Sequence, residues 1–185
     1  MEVKAWKYED LPEYTEPVEG AVRAAGGIRM RRKDREVTDF AEVTDILRRC
    51  DTLCIGISGE EHPYVVPVSF GLTSAEDGMP VVWFHCARQG HKSDLLSRHP
   101  VVCIEGHIFH KTEKTAHGIT TRYESVIGSG VAGRAEGEEI LTGLKSITDH
   151  YGFADYPLER CKGLAATAVY KIELRELTGK RNPAE

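Results

Sequence analysis

No C-x-x-C pair occurs among the five cysteines, and their number is odd. That excludes a closed disulfide framework and a zinc site of the usual finger spacing. Cys50, Cys54, Cys86, Cys103 and Cys161 mostly lie in apolar runs, as at residues 52–55, and read as reduced core residues of a cytoplasmic protein. No stretch approaches the roughly 20 apolar residues of a membrane helix. The acidic N-terminal stretch also lacks the apolar segment of a secretory signal. A basic excess is missing too. With a net charge of −5, neither nucleic acid nor an anionic membrane is the expected partner. The local cluster Arg29, Arg31, Arg32, Lys33 and Arg35 is interrupted by Asp34 and Glu36 and reads as solvated surface. No G-x-G-x-x-G follows a strand pattern, so a Rossmann dinucleotide turn is not expected.

What is present is one domain's worth of chain, 185 residues. Residues 1–30 carry Glu, Pro and Gly without periodicity and form an N-terminal extension, either disordered or wrapped over a partner through Trp6, Tyr8 and Tyr14. The domain proper is placed at residues 31–181, with a tail at 182–185. Asp39 caps a helix, Glu42 completes a capping box, and Phe40, Val43, Ile46 and Leu47 share one face. Strand patterns follow at residues 52–58, 63–72, 80–85, 101–107, 125–135 and 166–174, with turns at residues 59–62 and at Asp77-Gly78. A short helix is expected at residues 92–98, ended by His99-Pro100. Another is expected at residues 138–151, with Ile140, Leu141, Leu144, Ile147 and Thr148 on one side. The polar residues 111–121 read as a loop. Six strands joined by hairpin-length turns argue for a mainly β protein, an antiparallel sheet closed into a small barrel with about three flanking helices.

The informative stretch runs from Val82 to Pro100. A strand ends at His85, Gly90 permits a tight turn, and His91-Lys92 open a helix. Helix N-termini present free N–H groups and a dipole that favours anions, and Lys92 adds a charge. By itself the arrangement also fits a solvated turn. On the same strand, Val81, Trp83 and His85 alternate with Val82, Phe84 and Cys86. His85 reads either as a satisfied structural residue or as a group titrating near neutral pH beside a substrate. Pro67 within a strand indicates an edge or a bulge.

The stretch resembles the signature of the flavin-binding split barrels of the pyridoxamine 5'-phosphate oxidase-like family: an aromatic strand, a turn, a lysine, two leucines and a Pro-terminated helix. Four further segments resemble the nitroimidazole-resistance branch. They are Arg31-Arg32-Lys33-Asp34-Arg35-Glu36-Val37-Thr38-Asp39, Pro63-Tyr64-Val65-Val66-Pro67-Val68-Ser69-Phe70-Gly71, Tyr123-Glu124-Ser125-Val126-Ile127-Gly128-Ser129-Gly130 and Leu177-Thr178-Gly179-Lys180. They occur in the family's order over residues 31–180.

The resemblance implies a six-stranded, Greek-key type split barrel that dimerises, with FMN (or FAD) in the groove between subunits. Val66, Pro67, Val68 and Ser69 would then run past the isoalloxazine ring. Phe84, His85, Cys86 and Ala87 would line the ribityl chain, and Gly90, His91 and Lys92 would hold the phosphate. Tyr123, Glu124 and Ser125 would approach from the neighbouring strand or the other subunit, and His85 is the catalytic candidate. The implied activity is flavin-dependent reduction of a nitroimidazole or another electron-poor small molecule, with NADH or NADPH as donor. Oxidase activity on the pyridoxamine vitamer calls for a second cluster of basic groups. Arg122, Arg134 and Arg175 are available but match no substrate motif. A haem- or metal-binding barrel drawing on His99, His107, His110 and His117, and a non-catalytic flavin carrier or sensor, stand as alternatives.

Overall fold

In the computed structural model the described residues are 30–116, 118–158, 161 and 163–182. The extension at 1–30 therefore lies almost wholly outside them. Eight strands and three α-helices follow in the order β1 (Glu36–Val37), α1 (Phe40–Arg49), β2 (Leu53–Ile57), β3 (Tyr64–Val68), β4 (Phe70–Ser74), β5 (Pro80–Ala87), α2 (His91–Arg98), β6 (Val101–Thr115), β7 (Gly118–Arg134), α3 (Glu139–His150) and β8 (Thr167–Asn182). All pairings are antiparallel, in the order β3-β2-β6-β7-β8-β5-β4, with the short β1 added on β8. The meander β6-β7-β8 is thus flanked by β2–β3 on one side and β5–β4 on the other.

Eight strands replace the expected six for two reasons. The short β1 carries little pattern of its own. Residues 63–72 break at Ser69, so that β3 and β4 form the two opposite ends of the sheet order while remaining joined through one residue. This is the split of the barrel. Pro67 sits on the edge strand β3, where a missing N–H costs nothing to the ladder's interior.

Two clusters hold the fold. The main core lies inside the barrel and includes Ile55, Phe70, Val82, Phe84, Ile104 and Ile172, joined by Val43, Ile46 and Leu47 from α1. Asp39 caps α1, its Oδ1 accepting from the Ala41 N–H at 2.8 Å. Glu42 does not complete a capping box; its Oε2 accepts from Arg181 at 2.9 Å instead.

The second cluster lies on the barrel's outside, where Leu144 and Ile147 of α3 cover Val81, Trp83 and Val169. The buried side of α3 is Gly143, Leu144, Ser146 and Ile147, while Leu141 faces solvent. The helix lies so close that only small residues fit beneath it. A Cβ on Gly143 would stand 2.5 Å from the Trp83 ring, and one on Gly71 would stand 2.2 Å from the Ser146 carbonyl carbon. Trp83 meets its polar requirement by donating Nε1–H to Thr73 Oγ1 at 2.8 Å.

Residues 111–121 are not a loop. Together with the rest of β6 and β7 they form one long hairpin closed at Thr115↔Gly118, with a register shift after Phe109. His117 lies outside the described residues. The hairpin end is polar because neither face of it is buried, which removes the alternation that marks a strand in sequence. β8 runs to Asn182, beyond the expected 174 and into the expected tail. Asn182 is buried and donates to Thr120 Oγ1 at 3.1 Å. The cysteines also depart from expectation: all five are free, yet only Cys50 is buried, and Cys103 and Cys161 are exposed.

Candidate functional site

β5 pairs with β4 only as far as Phe70↔Phe84, whereas it pairs with β8 as far as Ala87↔Thr167. His85, Cys86 and Ala87 therefore leave one strand edge without a strand partner. The chain crosses the split at Ser69 into β3, whose outer edge is the other end of the sheet order. Between these two edges stands the start of α2, where Tyr64 and His91 meet edge to face at 5.0 Å between ring centres. The start of α2 thus stands beside two strand edges that lack strand partners, touching β3 through Tyr64 and β5 through Ala87, and this seam is the candidate cleft.

Each part of that end has a local cause. Gly90 adopts φ +132°, a conformation that favours glycine, and nothing stands within 4 Å of a Cβ built there. α2 has no side-chain cap, so its first N–H groups are free for a ligand. Ser93 Oγ turns away and donates to the Ala87 carbonyl at 3.0 Å, which ties the helix to β5. Lys92 is half-buried, its Nζ 5.8 Å from the centre of the Phe84 ring.

The nominated residues take distinct places around this cleft. Pro67 and Ser69 are exposed, Val66 packs inward against the core, and Val68 is buried. Phe84 is fully buried and stacks on Tyr170 at 5.4 Å, so only its backbone reaches the cleft. Cys86 is half-buried, its Sγ 3.6 Å from Ser93 Oγ, and Ala87 is exposed. His85 shares its face with Val81 and Trp83 but extends past the cover of α3 and is exposed. Burial by its neighbours, with the nearby Lys92 charge, holds its imidazole below the usual pKa, which favours the neutral form.

Tyr123, Glu124 and Ser125 are not brought to this cleft within one chain, because β6 and β2 separate β7 from β3. Glu124 points inward, and both carboxylate oxygens are occupied. Arg181 donates to Oε1 at 2.6 Å and Arg49 to Oε2 at 2.8 Å, with His110 Nε2 at 3.3 Å. Glu124 thus ties α1, β6 and β8 to β7. Sequence reasoning missed this clamp because its members lie far apart in the chain.

The Arg49 hydrogen bond, helped by Arg181 and opposed by burial, depresses the Glu124 carboxyl from 4.5 to about 2. A carboxyl lowered in the folded state adds stability above its unfolded pKa, and that stability drains as pH falls toward the folded value. Denaturant midpoints are therefore expected to fall between about pH 4.5 and pH 2 in the native chain, and to fall less over that window in Glu124→Gln. Parallel pH curves for the two would refute the clamp.

Other features lie away from the cleft. A groove of about 620 Å³ opens at the opposite end of β5, beside Thr73, Met79, Trp83 and Lys171, and no nominated residue lines it. No group of three His, Cys, Asp or Glu among the described residues is placed to hold a metal. His107 and His110 each face a carboxylate, from Glu105 and Glu124 respectively. No helix among the described residues is long and apolar enough to cross a membrane.

The outer face of β3-β2-β6-β7, and of β8 beyond the start that α3 covers at Val169 and Lys171, carries no helix among the described residues. Along the register its exposed and half-exposed side chains fall into rows: Val65, Cys103, Ser129 and Glu176; Pro67, Cys54, Glu105, Ile127 and Thr178; and His107, Ser125 and Lys180. Val65, Val101, Phe109 and Ile127 are exposed large apolar residues on it.

The family described as pyridoxamine 5'-phosphate oxidase matches residues 39–181. No curated protein matches the chain. Among solved structures, one is a Bacteroides thetaiotaomicron protein assigned to 5-nitroimidazole antibiotic resistance. It is 26% identical over 78% of this chain and 85% of its own, with a TM-score of 0.67. The flavocytochrome Anf3 of Azotobacter vinelandii is 20% identical over 89% of this chain and 76% of its own, with a TM-score of 0.70. An FAD- and haem-binding protein of Mycobacterium smegmatis is 16% identical over 82% and 76%, with a TM-score of 0.67.

Proposed function

The chain belongs to the pyridoxamine 5'-phosphate oxidase family, and we propose that within it the protein is a flavin reductase that binds FMN in the cleft of the split barrel. The observation that carries this reading is the unpaired edge on both banks of the split, facing the uncapped start of α2. Unpaired N–H and C=O groups suit the polar rim of a flat heterocycle. Free helical N–H groups beside an ammonium suit a phosphate.

FMN, when bound, supplies the redox chemistry by which NADH or NADPH is oxidised and an electron-poor acceptor, nitroimidazole-like, is reduced. The protein binds and orients. Gly90, His91 and Lys92 hold the phosphate. The backbone of Val66, Pro67, Val68 and Ser69 borders the ring, and that of Phe84, His85, Cys86 and Ala87 borders the ribityl chain. A second copy docked on the helix-free face would bring its own Tyr123 and Ser125 toward the cleft, completing the site in a homodimer. Glu124 is the support that holds that segment of β7 in place. His85 is poised to orient the acceptor in its neutral form, and to hand a proton to it in its imidazolium form, which gains weight as pH falls. The nitroimidazole and flavin descriptions of similar structures agree with this reading, and a cytoplasmic setting, where nicotinamide donors are found, is proposed with it.

The test is the visible spectrum of the purified protein, with the chromophore released and identified. Two flavin bands and free FMN are expected. A single intense haem band would replace this reading with the haem alternative, and a colourless protein that refuses added FMN would end it. In flavin-loaded protein, His85→Gln is expected to slow acceptor reduction by about 100-fold with flavin retained, the lower end of what a positioned acid contributes. Unchanged turnover would remove His85 from the mechanism. A flavin-loaded native protein that turns over no acceptor with either nicotinamide is a carrier.

A further inference from the structure

The β2–β3 ladder ends at Leu53↔Val68, and the chain next pairs at Phe70↔Phe84, on the other side of the split. Had the first ladder run on, its register would set Asp51 opposite Phe70, two residues beyond Leu53↔Val68 on each strand. The Tyr151 hydroxyl lies between these two residues instead. It donates to the Asp51 carbonyl at 2.8 Å and accepts the Phe70 N–H at 3.2 Å. A phenol oxygen thus takes the rung where the two main chains would otherwise meet.

The end of α3 places Tyr151 there. The helix stops at His150, Gly152 takes φ +80°, and the Phe153 N–H returns to the Thr148 carbonyl at 2.8 Å. Just before the stop, His150 donates from Nε2 to the carbonyl of Cys50, the residue that ends α1, at 2.9 Å. Its ring also packs on Phe70, with 4.2 Å between ring centres. Carbonyls at a helix C-terminus have no partner within the helix, so His150 and Tyr151 satisfy groups that α1 leaves open. One turn earlier, Ser146 and Ile147 press on Gly71, where a Cβ would stand within 2.3 Å of their main chain. Phe70 and Gly71 are therefore fixed from α3, while Val68 is fixed by β2. Ser69, between the two ladders, belongs to neither.

We propose that Tyr151 is a positioning residue of the candidate site: its hydroxyl turns the chain out of the β2–β3 ladder at Ser69, and so sets the main chain of residues 66–69 that borders the flavin ring. The flavin part of this role rests on the function proposed above. The hydroxyl is spent on two main-chain groups, so Tyr151 acts through Ser69 and not on the ligand. Without it, the Phe70 N–H and the Asp51 carbonyl lose their shared partner. The segment must then be ordered when the ring binds, and that ordering is subtracted from affinity. The Tyr151 side chain is 36% exposed, so its hydroxyl can be removed without opening a cavity.

The experiment titrates FMN, and riboflavin, which lacks the phosphate, into the purified full-length protein stripped of flavin. Tyr151→Phe is expected to weaken both ligands alike, by about fivefold or more, the worth of a typical hydrogen bond. Lys92→Ala, at the phosphate seat, should weaken FMN alone. Ile104→Val, a small truncation in the main core, lowers stability without touching the seam and should leave both affinities unchanged. Unchanged riboflavin affinity in Tyr151→Phe would overturn the proposal, and so would an equal loss in Ile104→Val. Circular dichroism of each variant confirms that it is folded. Amide hydrogen exchange gives a readout that needs no flavin. Tyr151→Phe should speed exchange across residues 66–70 by about fivefold or more, with β6 and β7 unchanged. Exchange that stays as in the native chain would also overturn the proposal. A native chain that binds neither FMN nor riboflavin would sink the flavin reading alone, and the Phe70 amide would still decide whether Tyr151 sets the seam.

Discussion

Lys92→Ala is expected to weaken FMN binding by about 10- to 150-fold, the loss of one hydrogen bond to a charged group at about 1.5–3 kcal/mol. Lys92 supplies the one side-chain cation at the start of α2, and the remaining contacts available to a phosphate there are backbone N–H groups. Those remain in the variant, so binding is weakened and not erased. Removing the ammonium also removes its contact with the Phe84 ring, worth only about 0.5–1 kcal/mol. Folding stability should therefore change little while affinity changes greatly. Fluorescence titration of flavin into stripped protein measures the first, and urea denaturation the second. Equal FMN affinity in the two proteins would move the phosphate seat elsewhere.

Phe84→Ala is expected to be the most destabilising single change, at about 3–5 kcal/mol, the range for emptying a fully buried aromatic position. Phe84 lies in the main core, stacked on Tyr170 with the ring planes 11° apart. It also stands where β4 pairing ends and the cleft begins. For a chain of this size the loss corresponds to about 6–20 °C in Tm. An unchanged m-value with a lower urea midpoint would show the loss to be one of packing. A cost under about 1 kcal/mol would mean that the core closes over the gap, contrary to the tight packing of barrel interiors.

The sequence disclosed those parts of the molecule that rest on local pattern. Asp39 announced α1, Gly90 the turn before α2, and Pro67 an edge, because a cap, a positive φ and a missing donor are properties of single residues. The alternation of Val81, Trp83 and His85 with Val82, Phe84 and Cys86 correctly separated the outside of the barrel from its interior. What stayed hidden depends on partners distant in the chain. The β6–β7 hairpin end is polar on both faces and takes its strand character from pairing alone. The inward side of α3 was misread at Leu141, since close approach to Trp83 and Gly71 selects Gly143 and Ser146 for size and not for hydrophobicity.

The candidate site divides in the same way. The proposed α2 seat is a continuous stretch, Gly90-His91-Lys92, and so is legible in the sequence as a candidate. Glu124, nominated for its neighbours in a motif, is a structural anchor once Arg49 and Arg181 are in view.

The edge position of Pro67 has a consequence for behaviour at high concentration. β3 is an outer strand with an exposed valine, Val65, and a row of main-chain groups that lack a strand partner. Such an edge is a template on which another chain can add a strand, and from there a sheet can grow without limit. Proline in the middle of that edge removes one donor from the template and interrupts any ladder that forms on it. A barrel whose seam is left open thereby carries its own stop against fibril-like growth.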